Sequence, residues 1–183
     1  MSMLEGNVKA LFFSIKIICG LSIILLAAPA LAATWQVPGD APTIQGGIDL
    51  AAPGDIVEVD CGDYYENNIV MKEGVTLLGA LDPGGCVTLH GNGEAGIWFS
   101  YIGFCTVQGF SFVECGESAL RMVHAFPLIE GCHFEGNTFT DGGAIHMIGS
   151  SPTILNCTFL GNSASHAGGA IAMGDCSATI MFC

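Results

Sequence analysis

Few residues in this chain of 183 offer reactive groups, and their spacing narrows what they could do. Asp60, Asp63 and Glu66 lie close together near a corner. Carboxylates so placed would offer oxygen ligands to Ca²⁺, although their spacing matches no calcium loop and solvated corner carboxylates are the plainer reading. Arg121 sits in "ALRM" at 119–122, between Leu120 and Met122, so strand alternation turns it outward. Its counterpart in "AIHM" at 144–147 is His146, and the two side by side would line a groove or form a solvated surface pair. His124, His133, His146 and His166 fall at different places in the repeating pattern described below, so no histidine ladder is expected.

The nine cysteines include no C-x-x-C pair and no zinc-type spacing. Cys132, Cys157 and Cys183 instead recur at intervals of 25 and 26, which would stack them. Parallel stacked side chains have poor S–S torsions, so a column of buried thiols packing as small apolar groups is expected. One disulfide within that column is the second reading.

The elements that must hold these residues are written twice. "FEGNTFTDGGAIHM" at 134–147 returns as "FLGNSASHAGGAIAM" at 159–173. Phe134 and Asn137 return 25 residues later as Phe159 and Asn162; Gly142, Gly143 and Ile145 return after 26 as Gly168, Gly169 and Ile171. Ile129 returns as Ile154 and Ile180. Upstream the interval drifts: Val107, Phe110 and Phe112 precede Ile129, Cys132 and Phe134 by 22, and Leu77 precedes Val107 by 30. A period of this length marks a solenoid. The dense leucine ladder of leucine-rich repeats is missing, and each unit holds short alternating pieces cut by Gly, Asn or Pro, the mark of strands.

A coil that climbs one strand spacing, about 4.8 Å, per unit places equivalent residues directly above one another. Asn137 and Asn162 would then form an amide ladder, and the Gly-Gly pairs would mark a corner needing positive φ or close backbone approach.

Residues 1–33 read as an export leader: Lys9 and Lys16, an apolar run from Ile17 to Ala28, then "APALAA" with small residues suited to cleavage. The run is short for a membrane span, so no stable span is expected after cleavage. Of seventeen acidic residues only Glu5 precedes position 34, and of four basic ones only Lys72 and Arg121 follow it. Residues 34–183 therefore carry a formal −14, a surface that repels nucleic acid. Within 34–60, Thr43 would cap a short helix over 43–52 bearing Ile44 and Ile48, "PGD" at 53–55 would end it, and "DIVEV" at 55–59 would begin the first strand. Such a helix would lid the first coil, and residues 61–183 would be the coils. The chain stops a few residues into a third copy of the repeat, so a solenoid incomplete at its C-terminus, or one covered there by a partner, is expected.

Two resemblances reach these residues. "TIQGGIDLAAPGDIVEVDCGDYYENNIVMKEGVTLLGA" at 43–80 resembles the N-terminal cap and first coil of right-handed parallel β-helix proteins of the pectin-lyase-like superfamily. Gly62-x-Tyr64-x-Glu66 within it resembles the Gly-x-Tyr-x-Glu of pectin methylesterases, and reads as structural because their catalytic blocks are absent. The paired "FxxN" and "GGAI" elements of 134–145 and 159–171 resemble the repeat of polymorphic outer-membrane proteins.

The resemblances imply an all-β, right-handed parallel β-helix with an N-terminal capping helix, secreted, periplasmic or at the cell surface. They imply a structural or binding module for carbohydrate or a surface partner. The alternative they imply is a polysaccharide lyase or glycoside hydrolase whose catalytic residues lie mostly outside this chain, with Arg121 the one candidate here to take a proton. A third reading is an autotransporter-like passenger without its barrel.

Overall fold

Alternation in short pieces produces short strands, and nothing else in the coils competes with them. The computed structural model describes residues 31–80 and 86–183; residues 1–30 of the expected leader lie outside them. The strands form a parallel β-solenoid of about six turns. One sheet stacks Thr34–Val37, Ile56–Val59, Thr76–Gly79, Thr106–Gln108, Leu128–Glu130, Thr153–Leu155 and Thr179–Met181. The second stacks Gly62–Tyr64, Val87–His90, Phe110–Val113, His133–Glu135 and Thr158–Leu160. The third stacks Ile69–Val70, Ile97–Ser100, Leu120–Val123, Ile145–Ile148 and Ile171–Gly174. Thr138–Asp141 and Ser163–Ala167 add a fourth, two-stranded sheet.

Register follows the repeat. Ile129 pairs with Ile154 and Ile154 with Ile180, Phe134 with Phe159, Leu120 with Ile145, and Leu77 with Val107. Drift in the interval is absorbed in the corners, not in the strands.

Like therefore rests on like in the core. The rings of Phe112, Phe134 and Phe159 stack nearly parallel, with centroids 5.1 and 5.0 Å apart. Asn137 is fully buried. Its side-chain NH₂ donates to the Phe112 carbonyl and to Asn162 Oδ1, each at 3.0 Å, and its Oδ1 accepts from the Cys115 amide. Asn162 repeats the bond to the Phe134 carbonyl at 2.9 Å. Both reasons for the Gly-Gly corner are present. Gly142 and Gly168 have φ of +69° and +63°, and a Cβ on Gly143 would lie 2.4 Å from the Ser163 carbonyl oxygen.

Helix Ile44–Leu50 lies against the first two strands and buries Ile44, Gly47 and Ile48. Thr43 is its cap, accepting from the Gly46 amide at 3.0 Å. The expected start of the sheet needs correction. A strand at Thr34–Val37 precedes the helix and pairs with Ile56–Val59, so "DIVEV" supplies the second strand. The earlier strand is held by Asp55, whose carboxylate accepts from the Ala33 amide, the Trp35 indole N–H and the Ala52 amide. Those donors hold its pKa below the ordinary aspartate range. Four residues ahead of a proline carry no repeat partner, so periodicity had nothing to find.

Asn137→Ala strands the Cys115 amide and the Phe112 carbonyl in the core. It is expected to cost about 2–4 kcal/mol in urea unfolding at 25 °C, from two orphaned buried groups. Asn162→Ala, at a half-buried position, should cost less. A loss for Asn137→Ala below about 0.5 kcal/mol would mean that the ladder is ornamental.

Candidate functional site

Of the three corner residues, Glu66 and Asp63 have their carboxylates engaged, each differently. Glu66 caps the helix from the coil beneath it, accepting from the Ile44 and Gln45 amides at 2.8 and 3.2 Å. Its charge faces the helix N-terminus, where anions are favoured. Asp63 faces the other way and pairs with His90 at 3.0 Å. Asp60 contributes its backbone carbonyl, which accepts from the Tyr64 hydroxyl at 2.9 Å. Tyr64 thus braces the corner while Glu66 braces the cap, a structural use for the Gly-x-Tyr-x-Glu element. Among the described residues, no three His, Cys, Asp or Glu side chains converge as a metal site.

Lys72 finishes the same helix. Its ammonium donates to the carbonyls of Ile48, Asp49 and Ala51 at 3.1, 3.0 and 2.7 Å, at the negative end of the helix dipole. Sequence reasoning missed both caps because each comes from 21 to 24 residues away.

The histidines scatter as their spacing implied. His133 meets Glu135 at 3.4 Å, and His166 meets Asp141 at 2.6 Å. Cys132 and Cys157 are buried free thiols, each donating to the carbonyl two residues back. Burial pushes the Cys132 thiol well above its ordinary pKa. The disulfide lies elsewhere, between Cys61 and Cys86, 25 residues apart on neighbouring coils. The cysteines of 61 and 86 belong to no copy of the 25-residue phrase, so their pairing was not legible.

Arg121 is the exception to this scatter. It stands on the outer face of the third sheet, in the column Val70, Trp98, Arg121, His146, Ala172. The stacking rule brings Trp98 beneath it, and the guanidinium carbon lies 4.2 Å from the indole centroid. The Phe139 ring, from the two-stranded sheet, also meets the guanidinium, with the carbon 4.9 Å from its centroid. Arg121 Nη1 donates to Glu117 Oε2 at 3.1 Å. Trp98 is itself held by its indole N–H donating to Asn68 Oδ1 at 3.1 Å. The His146 ring tilts against Phe139 with centroids 5.7 Å apart. A cleft of about 490 Å³ opens beside His146, bordered by Asp141, Ile148, Ala167 and Ala172.

Two π faces and the Glu117 carboxylate each attract the guanidinium. What the arrangement offers is a planar cation, two planar apolar faces and several hydrogen-bonding edges on one half-buried surface, which suits recognition. Trp98 and Phe139 were not singled out from the sequence. Trp98 precedes Arg121 by 23, inside the drifting part of the repeat, and Phe139 belongs to a strand pair that only two coils possess.

Residues 156–173 match the family model of the Chlamydia polymorphic membrane protein (Chlamydia_PMP) repeat. No curated protein and no solved structure matches the chain. The matched segment runs from the corner before Thr158–Leu160 to Met173 on the third sheet, so it is less than one coil. Its Phe159 and Asn162 belong to the internal ring stack and amide ladder. The matched features are those that build the coil.

Burial, and after it the Arg121 charge, hold the His146 pKa below the ordinary imidazole range, with Asp141 opposing. Protonation therefore opposes folding. The stabilisation is whole above the ordinary imidazole range and is lost as pH falls through that range toward the depressed folded-state value. An NMR titration should show His146 protonating at lower pH than a free imidazole, and Arg121→Met should move it upward. A His146 that titrates normally, or one indifferent to Arg121→Met, would place the ring outside this cluster.

Proposed function

We propose that this chain is an exported or cell-surface β-solenoid binding module, and that the Trp98–Arg121–Phe139–His146 face takes carbohydrate. The observation that carries the reading is the guanidinium in contact with two aromatic rings, Trp98 at 4.2 Å and Phe139 at 4.9 Å. Sugar rings present C–H faces that pack on aromatic planes and hydroxyls that bond to Arg, Asn, Glu and His edges. A pocket built of a few fixed polar groups among apolar ones is the usual form of a small-ligand site. The repeat match supports the surface location, since the family it names is a membrane protein family. The long lateral face supports a structural or adhesive role, because a solenoid offers an extended surface for contacts.

The hydrolase or lyase alternative keeps one observation in its favour. Arg121 has carboxylates nearby, Glu117 directly and Asp141 across His146. The aromatic rings packed against its guanidinium favour the binding reading.

A carbohydrate array probed with the protein, with and without Ca²⁺, separates these readings. Binding of a defined glycan class is expected, reduced at least about tenfold by Trp98→Ala and by Arg121→Ala, the equivalent of about 1.4 kcal/mol each. Retention of binding by both variants, or no glycan bound at all, would contradict the proposal. A new unsaturated product absorbing in the ultraviolet, lost with Arg121→Ala, would favour the lyase.

A further inference from the structure

A second face lies around the corner from the first, where the chain leaves the third sheet for the seven-stranded one. Tyr101 is 74 % exposed, Phe104 63 % and Phe126 51 %. The strand register carries through this corner. Tyr101, His124, Gly149 and Asp175 follow Ser100, Val123, Ile148 and Gly174, which are paired in sequence, and so form one column. Phe104 and Phe126 stand two residues before the paired Thr106 and Leu128, and so form a second. Each column belongs to coils with others both below and above, so the exposure of these aromatics is a choice of residue and not of position in the stack.

The backbone is committed to holding them there. Tyr101 and His124 have φ of +51° and +48°, a region that bulky side chains rarely occupy because of its steric cost. The Tyr101 ring leans over the His124 ring with centroids 5.0 Å apart. The His124 ring in turn lies over Gly149, where a Cβ would sit 2.5 Å from the imidazole. Glycine at 149 leaves room for the imidazole, which any side chain there would strike.

Charge selects the occupant. Glu73 borders the strip from the coil below; its Oε1 lies 2.8 Å from where a Cβ of Gly103, the neighbour of Phe104, would stand. Asp175 continues the Tyr101 column two coils above His124 and is exposed. Among the described residues no Lys or Arg answers these carboxylates: Lys72 is spent on the helix carbonyls and Arg121 is held by Glu117. An aromatic strip flanked by unanswered carboxylates fits a flat cation. The protein uses that chemistry itself where Arg121 lies on Trp98.

We propose that the Tyr101–Phe104–Phe126 strip, with Glu73 and Asp175 at its margins, docks an arginine-bearing peptide segment of a partner protein. Guanidinium groups stack on the aromatic rings and pair with the flanking carboxylates. The contact is independent of the sugar-binding face, since Trp98 and Arg121 take no part in it.

The test uses synthetic peptides of alternating glycine and arginine, and their lysine and citrulline counterparts, titrated calorimetrically into the protein at about 150 mM salt, where the Debye length is about 8 Å. The arginine peptide is expected to bind more tightly than the lysine peptide, and the citrulline peptide not at all. Phe104→Ser with Phe126→Ser should weaken arginine binding at least tenfold, and Glu73→Gln with Asp175→Asn should weaken it severalfold. Trp98→Ala should leave it unchanged. All four side chains replaced in the strip are exposed, so unaltered circular dichroism and thermal midpoints confirm that the variants fold. Equal binding of arginine and lysine peptides with no effect of the phenylalanine changes would reveal unspecific attraction to an acidic protein, and would overturn the proposal. So would a neutral oligosaccharide that competes for the strip.

Discussion

Parallel hydrogen bonding between successive coils is the interaction on which the molecule depends. A strand of three or four residues has few hydrogen bonds of its own to offer, and each must be made to the coil above or below. Pairing at one strand spacing then leaves no freedom in what sits over what, because a slip by one residue turns every inward side chain out. The core answers with residues that gain from stacking on themselves. Phenylalanine rings lie face over face, isoleucines rest on isoleucines, and an asparagine bonds to an asparagine. Among the described residues no buried side-chain nitrogen or oxygen lacks a partner. A core of this kind tolerates polar groups only where the repeat supplies the next rung.

The same constraint works on the outside, with a different result. Outward columns need not repeat, so each coil can place a new side chain over the last. Trp98, Arg121 and His146 follow one another in one such column, and Tyr101, His124 and Gly149 in another. Stacking at a fixed spacing brings an indole within cation–π distance of a guanidinium with no other device. The extra strand pair at Thr138–Asp141 and Ser163–Ala167 supplies Phe139 and turns a flat column into a walled one. The two Lys or Arg side chains among the described residues are then put to two uses, Lys72 to close a helix and Arg121 to build a surface.

Where residues recur, the sequence announced the structure. Phe134 over Phe159, Asn137 over Asn162 and the glycine corners were legible because a coil must present the same face to its neighbour. Thr43 and Ile48 announced the capping helix by local chemistry alone. Long-range contacts made by a single residue were not legible. Glu66 and Lys72 reach the helix ends from another coil, Cys61 finds Cys86, and the Thr34–Val37 strand forms because Asp55 gathers its donors. The candidate site lay between these extremes. Arg121 and His146 were placed side by side by the repeat, while Trp98 was hidden by the drifting interval and Phe139 by belonging to no column of the three main sheets.

Proton–proton contacts in isotopically labelled protein test the coil-on-coil register most directly. Cross-peaks between the Asn137 and Asn162 side-chain amides, and between the Phe134 and Phe159 rings, are expected together with amide contacts from Ile129 to Ile154. Their absence, with Phe134 and Phe159 in contact with unrelated residues, would contradict the stacked solenoid and with it both surfaces derived from it.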